Sequence, residues 1–302
     1  MVVYSEQREK TLHVSLGSQC NNNCIFCMEP RFIEDSHNRK IEEHKEFISN
    51  SFLDGFSRIV FTRKEPTLAF SKLIPLIKHA KYIGYEDIML ITNGRLLSYR
   101  PFVLKLLKAG LNHVEISLHG SNKEMHESLT RTPGSYEQVK KCLQNIYALS
   151  RKYPIFYSIN FTITKLNYKN IPDFYSLASS FSPNSIVFNF YCTKSEGKKR
   201  SDLLMPNYSE VIGELRKVRS GNFSLIDFPF CVIPRELSNK VGHIEDFHLL
   251  KKLGNGKYRR NDWQSTKRKL EKCGVCKFLG FCPNPSMEYV QKYGHIEFKP
   301  IR

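Results

Sequence analysis

The sequence predicts an α/β protein: a partial, TIM-like (β/α)6 barrel, open on one side, that carries a small cysteine-rich C-terminal extension. Two observations predict it. Strand-like and helical segments alternate as far as about residue 200, and the cysteines fall mainly into two groups, one directly after the first strand and one near the C-terminus. A chain of 302 residues is long enough for one large α/β domain with an appendage.

The strand-like segments are residues 12–17, 58–63, 87–93, 113–119, 155–164 and 185–193, each rich in Ile, Val and Phe. Helical patterns lie between most of them, at 71–83, 101–109, 136–149 and 171–180. Such alternation argues for parallel βαβ units with right-handed crossovers, and six in succession curl into an open barrel. The pattern then changes. Residues 195–200 read as a charged loop and 207–219 as an amphipathic helix; beyond 221 the alternation stops and cysteines return. These features divide the chain into a barrel, residues 1–200, and an extension, residues 201–302.

Hydrophobic residues make up 41% and charged residues 25%, which excludes a collagenous or mainly disordered chain. Residues 1–10 are polar and lack the apolar stretch of a secretory signal, and no run of about 18 apolar residues suggests a membrane span. The expected location is the cytoplasm, where clustered cysteines are metal ligands more often than disulfides. The net charge of +17 favours anionic partners such as nucleic acid, phosphorylated metabolites or acidic peptides; it equally fits simple solubility.

Cys20, Cys24 and Cys27 stand in Cys-Asn-Asn-Asn-Cys-Ile-Phe-Cys, directly after the first strand. Three soft thiolates suit a [4Fe–4S] cluster that leaves one iron open to a small ligand. A zinc site would want a fourth ligand, for which His37 and His44 are the nearby candidates.

This Cys-x3-Cys-x2-Cys element resembles the signature of the radical S-adenosylmethionine (SAM) superfamily, and other segments extend the resemblance over the first two thirds of the chain. Phe26 occupies the position where that family packs an aromatic near the adenine of SAM. Glu65, Pro66 and Thr67 resemble the end of its Gly-Gly-Glu-Pro motif, which contacts the SAM amino group; Arg63 and Lys64 stand where the family has glycines. Asn93, in Thr-Asn-Gly, and Ser117, in Ser-Leu-His-Gly, match further SAM-contacting turns at strand ends, where α/β sheets place ligands. Arg131 is the expected partner of the SAM carboxylate, because guanidinium binds carboxylate bidentately. The resemblance implies reductive cleavage of SAM to methionine and a 5′-deoxyadenosyl radical, which takes a hydrogen atom from substrate, with a flavodoxin or ferredoxin type protein as electron donor.

Cys231, Cys273, Cys276 and Cys282 form the second group. Four thiolates saturate a cluster or a zinc ion. The group resembles the SPASM and twitch extensions of radical SAM proteins, which implies one auxiliary [4Fe–4S] cluster; a zinc ribbon is the other reading of the spacing. Of the two cysteines left over, Cys142 falls on the apolar face of a helix, as a buried structural thiol would. Cys192 falls at the end of the sixth strand, at the barrel mouth, where a thiol could donate a hydrogen atom to a substrate radical. Residues 251–277 carry ten Lys/Arg with Tyr258 and Trp263 interleaved, a pattern that fits a solvated loop or a nucleic-acid contact.

The expected function is therefore SAM-dependent radical chemistry. The likeness of the extension to those of peptide-modifying members puts peptide or protein maturation first. Small-molecule dehydrogenation or epimerisation comes second and RNA modification third. A reading from another class is a non-catalytic iron–sulfur protein that binds nucleic acid.

Overall fold

The computed structural model describes residues 10–29, 40–191, 193–241, 250–252, 258–260, 269–279 and 282–302. Seven strands form one parallel sheet in sequence order: β1 (Lys10–Val14), β2 (Phe56–Phe61), β3 (Asp87–Thr92), β4 (His113–Ser117), β5 (Phe156–Ile163), β6 (Ser185–Phe190) and β7 (Phe223–Ile226). All six pairings are parallel, in registers such as Leu90 with Val114 and Phe161 with Phe188. Helices α1 (Ile41–Leu53), α2 (Phe70–Ile83), α3 (Arg100–Ala109), α4 (Lys123–Thr130), α5 (Ser135–Ser150) and α6 (Ile171–Ser179) make the crossovers, with α4 and α5 sharing one connection. The sheet is the curled partial barrel of the sequence reading.

Three elements of the sheet and its crossovers were not legible in the sequence. Helix α1 buries His44, Ile48 and Ser51, so two of its three inward positions are polar and the apolar stripe is broken. Helix α4 likewise buries His126 and Thr130 beside Leu129. Strand β7 has only four residues, Phe-Ser-Leu-Ile, too short for periodicity to register, yet it pairs with β6 from Ile186–Phe223 to Asn189–Ile226. The sheet thus has seven strands where the pattern predicts six.

The core lies between the sheet and the helices. Leu12, Ile59, Phe61, Leu90, Val114, Ile116, Ile159 and Phe161 from the strands meet Leu76, Ile77, Leu106, Val139 and Ile146 from the helices, all fully or nearly fully buried. Gly94, after β3, has φ 77°, and a Cβ there would lie 3.1 Å from the Cys142 sulfur and from Ile116. Cys142 is a buried packing thiol under this turn, as its helical position predicts.

Helices α7 (Ser201–Leu204) and α8 (Tyr208–Arg216) follow β6, a short antiparallel pair joins β8 (Leu250–Lys252) to β9 (Tyr258–Arg260), and α9 (Met287–Tyr293) lies near the C-terminus. The last segment packs on the barrel through aromatic side chains. Phe190 at the end of β6 stacks on Tyr208 with ring centroids 4.0 Å apart, and Tyr208 meets Tyr289 at 4.4 Å. The Tyr208 backbone N–H donates to the Tyr289 hydroxyl at 2.9 Å, and that hydroxyl donates to Glu297. No helix among the described residues is long and apolar enough to cross a membrane.

Candidate functional site

A cavity of about 350 Å³ opens at the carboxyl ends of the strands. The loop after β1 forms one wall and brings in Cys20, Cys24, Phe26 and Cys27; the loops after β2, β3 and β4 bring Arg63, Lys64, Asn93, Ser117 and His119. The cysteine loop has almost no regular structure, so side chains and crossing backbone bonds fix it. Asn23 N–H donates to the Thr130 carbonyl at 3.0 Å and Ile25 N–H to Leu129 at 2.8 Å, which hangs the loop on the end of α4. Asn93 Nδ2 donates to the Asn21 side chain at 2.7 Å, and the Arg95 guanidinium donates to the Asn21 carbonyl.

The thiols share this wall. Asn22 N–H and Asn93 Nδ2 point at the Cys20 sulfur at 3.5 and 3.9 Å. Burial pushes the Cys20 thiol up, the Asn22 N–H opposes this, neighbouring charges on Glu65 and Cys27 add to it, and the Lys64 ammonium works against it. Burial, together with charge on Cys20 and Cys27, raises the Cys24 thiol strongly. A thiolate set whose charges raise the Cys20 and Cys24 thiols suits a cationic iron–sulfur core, which would remove that repulsion when bound. Among the described residues no three or more His, Cys, Asp or Glu side chains are gathered as a single-ion site.

Glu65 does not face the cavity. It is 3% exposed, and its carboxylate accepts hydrogen bonds from Thr67 N–H at 3.2 Å, Thr67 Oγ1 at 2.5 Å, Thr92 Oγ1 at 2.7 Å and Asn93 N–H at 2.8 Å. Pro66 and Thr67 are buried in the short 3-10 turn that Glu65 caps. None of these three residues lines the cavity, so the Glu65 carboxylate is committed to protein donors and any contact with the cofactor would have to run through backbone. Burial of the carboxylate is offset by four donors, so it braces the β2 and β3 loops against each other.

Arg63 and Lys64 carry the conformation that the missing glycines would supply. Their φ angles are 72° and 52°, in the left-handed region disfavoured for residues with a Cβ. Arg63 is held by Glu29, with Nε at 3.0 Å and Nη2 at 2.8 Å from one carboxylate oxygen. Arg131, by contrast, is an exposed residue with φ 51° that ends α4, and it does not line the cavity. The sequence placed it correctly after the His-Glu-Ser-Leu-Thr run, but the helix end turns it outward.

His119 is a cavity residue that the motif reading passed over, although it lies inside the Ser-Leu-His-Gly segment. Its Nδ1 accepts from Thr162 N–H at 3.2 Å, and Asn167 Nδ2 donates to its carbonyl at 3.2 Å. The acceptor role of Nδ1 fixes the proton on Nε2. Burial, then the nearby His126, holds His119 well below the usual imidazole range, so it is neutral. Phe26 packs edge-on against it at 4.5 Å.

The family model described as the Radical SAM superfamily matches residues 14–178, more than half of the chain and the whole of the cavity wall up to α6. The chain belongs to the radical SAM superfamily. It is accordingly an enzyme of the radical SAM class, with a [4Fe–4S] cluster and SAM as cofactors. A GTP 3′,8-cyclase of Clostridium botulinum is 32% identical over 194 residues, 62% of this chain and 58% of that enzyme, so the match spans little more than half of the relative's length. The crystal structure of Streptococcus suis SuiB bound to S-adenosylmethionine superposes over 97% of this chain and 76% of that one, with a TM-score of 0.68 and 15% identity. SuiB bound to its precursor peptide SuiA superposes equally well, at a TM-score of 0.68 and 14% identity over 97% of this chain and 75% of that one. At these identities the likeness is one of fold.

Beyond the radical SAM cavity, Cys231, Cys273, Cys276 and Cys282 are half-buried and free of disulfides. Burial, then charge on Cys282, pushes the Cys231 thiol up to about 11, with Cys273 adding to it. Cys282 is raised by burial and by charge on Cys273 and Cys276, while the N–H groups of Asn284 and Phe230 oppose this. Charge thus couples Cys231 to Cys273 and Cys282, and Cys282 to Cys273 and Cys276. Cys192, His37, Trp263 and part of the basic segment, residues 253–257 and 261–268, lie outside the described residues.

Proposed function

We propose that this radical SAM enzyme modifies a peptide or protein, using residues 1–200 to cleave SAM and residues 201–302 to engage substrate. When bound on Cys20, Cys24 and Cys27, the cluster would supply the electron that splits SAM into methionine and a 5′-deoxyadenosyl radical, the species that takes hydrogen from substrate. The chain's own part is placement: Asn93 and Ser117 on the strand ends, Phe26 beside His119, and the Glu65 brace beneath them. A small electron carrier of the flavodoxin or ferredoxin type would reduce the cluster. Cys231, Cys273, Cys276 and Cys282 would hold an auxiliary [4Fe–4S] cluster in the extension.

The observation that carries the peptide reading is the joint between cavity and extension. Phe190 lines the cavity and stacks on Tyr208, which packs on Tyr289. A substrate held by the extension would thus be fixed relative to the SAM site. SuiB, whose fold matches nearly the whole chain, is a structure with a bound precursor peptide.

A nucleotide substrate is the second reading. The relative's name, GTP 3′,8-cyclase, favours it. The test is anaerobic reconstitution with dithionite and SAM, with 5′-deoxyadenosine measured against added peptides or GTP. A peptide that raises 5′-deoxyadenosine and changes mass supports the first reading. Stimulation by GTP with loss of GTP establishes the second in its place, and no 5′-deoxyadenosine under any condition overturns both.

A further inference from the structure

Two adjacent residues with side chains, Arg63 and Lys64, occupy left-handed backbone conformations at the cavity wall. Such strain persists where the surrounding structure enforces it and is concentrated at functional sites. Glycine would adopt these angles freely, so the side chains must contribute something that glycine cannot.

Arg63 is accounted for by Glu29. Among the other cations on the wall, Arg200 donates to the Ile25 carbonyl at 3.0 Å. Lys64 is half-buried and has no hydrogen-bond or ion-pair partner among the described residues. It lies close enough to Cys20 for its charge to act on that thiol. The nearby carboxylates are committed elsewhere: Glu29 binds Arg63, Glu196 binds Lys199 at 2.9 Å, and Glu65 is buried among its four donors. A half-buried ammonium beside a cluster ligand, held there at a cost in backbone strain, is a counter-charge awaiting an anion.

We propose that Lys64 binds the carboxylate of SAM, the role that the sequence assigned to Arg131. The inference rests on SAM lying in this cavity against the Cys20, Cys24 and Cys27 loop, with its amino-acid end toward the cluster. The carboxylate is the part of SAM that a lysine ammonium recognises as a point charge. Arg63 is the positioning residue: its ion pair with Glu29 ties the β2 loop to the cysteine loop and holds the following Lys64 over the cavity.

The test uses the full chain with its clusters reconstituted anaerobically and measures SAM dissociation constants calorimetrically, beside thermal melting. The variants are Lys64→Gly, which removes both charge and strain, and Lys64→Met, which removes the charge and keeps the bulk. The probe beside SAM is its decarboxylated analogue, which keeps the sulfonium, adenosine and amine. Both variants should bind SAM at least about tenfold more weakly than wild type, the loss expected of one charged hydrogen bond. Both should bind the decarboxylated analogue as wild type does, and Lys64→Gly should melt higher than wild type. SAM affinity within about twofold of wild type in both variants overturns the proposal, as does an equal loss for the analogue. A wild-type protein that carries its clusters and binds no SAM would instead overturn the placement of SAM in this cavity.

Discussion

The Glu65 carboxylate accepts the backbone N–H of Asn93 at 2.8 Å, joining the loop after β2 to the loop after β3 across 28 residues of sequence. Asn93 in turn reaches Asn21 and Cys20 through its side chain. The buried acid is thus one hydrogen bond away from the residue that orients the cysteine loop.

Replacing Glu65 should therefore act first on stability and then on SAM. Glu65→Ala leaves three buried donors and the half-buried Asn93 N–H without their acceptor, and at about 1–3 kcal/mol for each unsatisfied buried group the loss should reach at least ~3 kcal/mol. Glu65→Gln can keep an oxygen toward Thr67 and Thr92 but must turn its NH₂ toward the Asn93 N–H. It should unfold less readily than Glu65→Ala and still lose SAM affinity. Urea titration and calorimetry of both variants check this, and equal stability of Glu65→Ala and wild type would contradict the brace.

Arg131 should be dispensable for SAM. Its side chain is exposed and its backbone is left-handed at the end of α4. Arg131→Gly should raise the unfolding free energy by about 0.5–1 kcal/mol through relief of that conformation, with SAM affinity within about twofold of wild type. A tenfold loss of affinity would return Arg131 to the binding site.

Metal content tests the two thiol sets. Anaerobically reconstituted protein should hold about eight irons, and replacing Cys20, Cys24 and Cys27 by Ala should leave about four. Zinc with no more than about four irons in the wild type would make the second set a zinc site.

Acid should destabilise the fold through its buried imidazoles. Burial lowers His126 to about 4, and burial together with the neighbouring His126 holds His119 well below its usual value. The unfolded chain binds more protons than the folded one between about pH 4 and 6.5, so stability is fully present above about 6.5 and falls as pH drops through that window. For His126 alone the loss from pH 6.5 to 5 is about 2 kcal/mol. His126→Asn should flatten the pH dependence measured by urea unfolding; an unchanged slope would place the titration elsewhere.

Much of this protein was determined by the sequence itself. The six long strands, the order of the crossovers and the placement of Cys20, Cys24 and Cys27 after β1 follow from hydrophobic periodicity and local spacing, signals carried by neighbouring residues. That Asn93, Ser117 and Phe26 would line one cavity was legible for the same reason, because each sits at a fixed offset from a strand end or from the first cysteine group. The tertiary structure decided what spacing cannot. Helices α1 and α4 were hidden by buried His44, Ser51, His126 and Thr130, and β7 by its brevity. Glu65 faces donors from another loop, Arg131 turns outward at a helix end, and Lys64 turns into the cavity. The sign of φ and the partners of a buried group depend on segments far apart in the chain, and those contacts exist only once the sheet has curled.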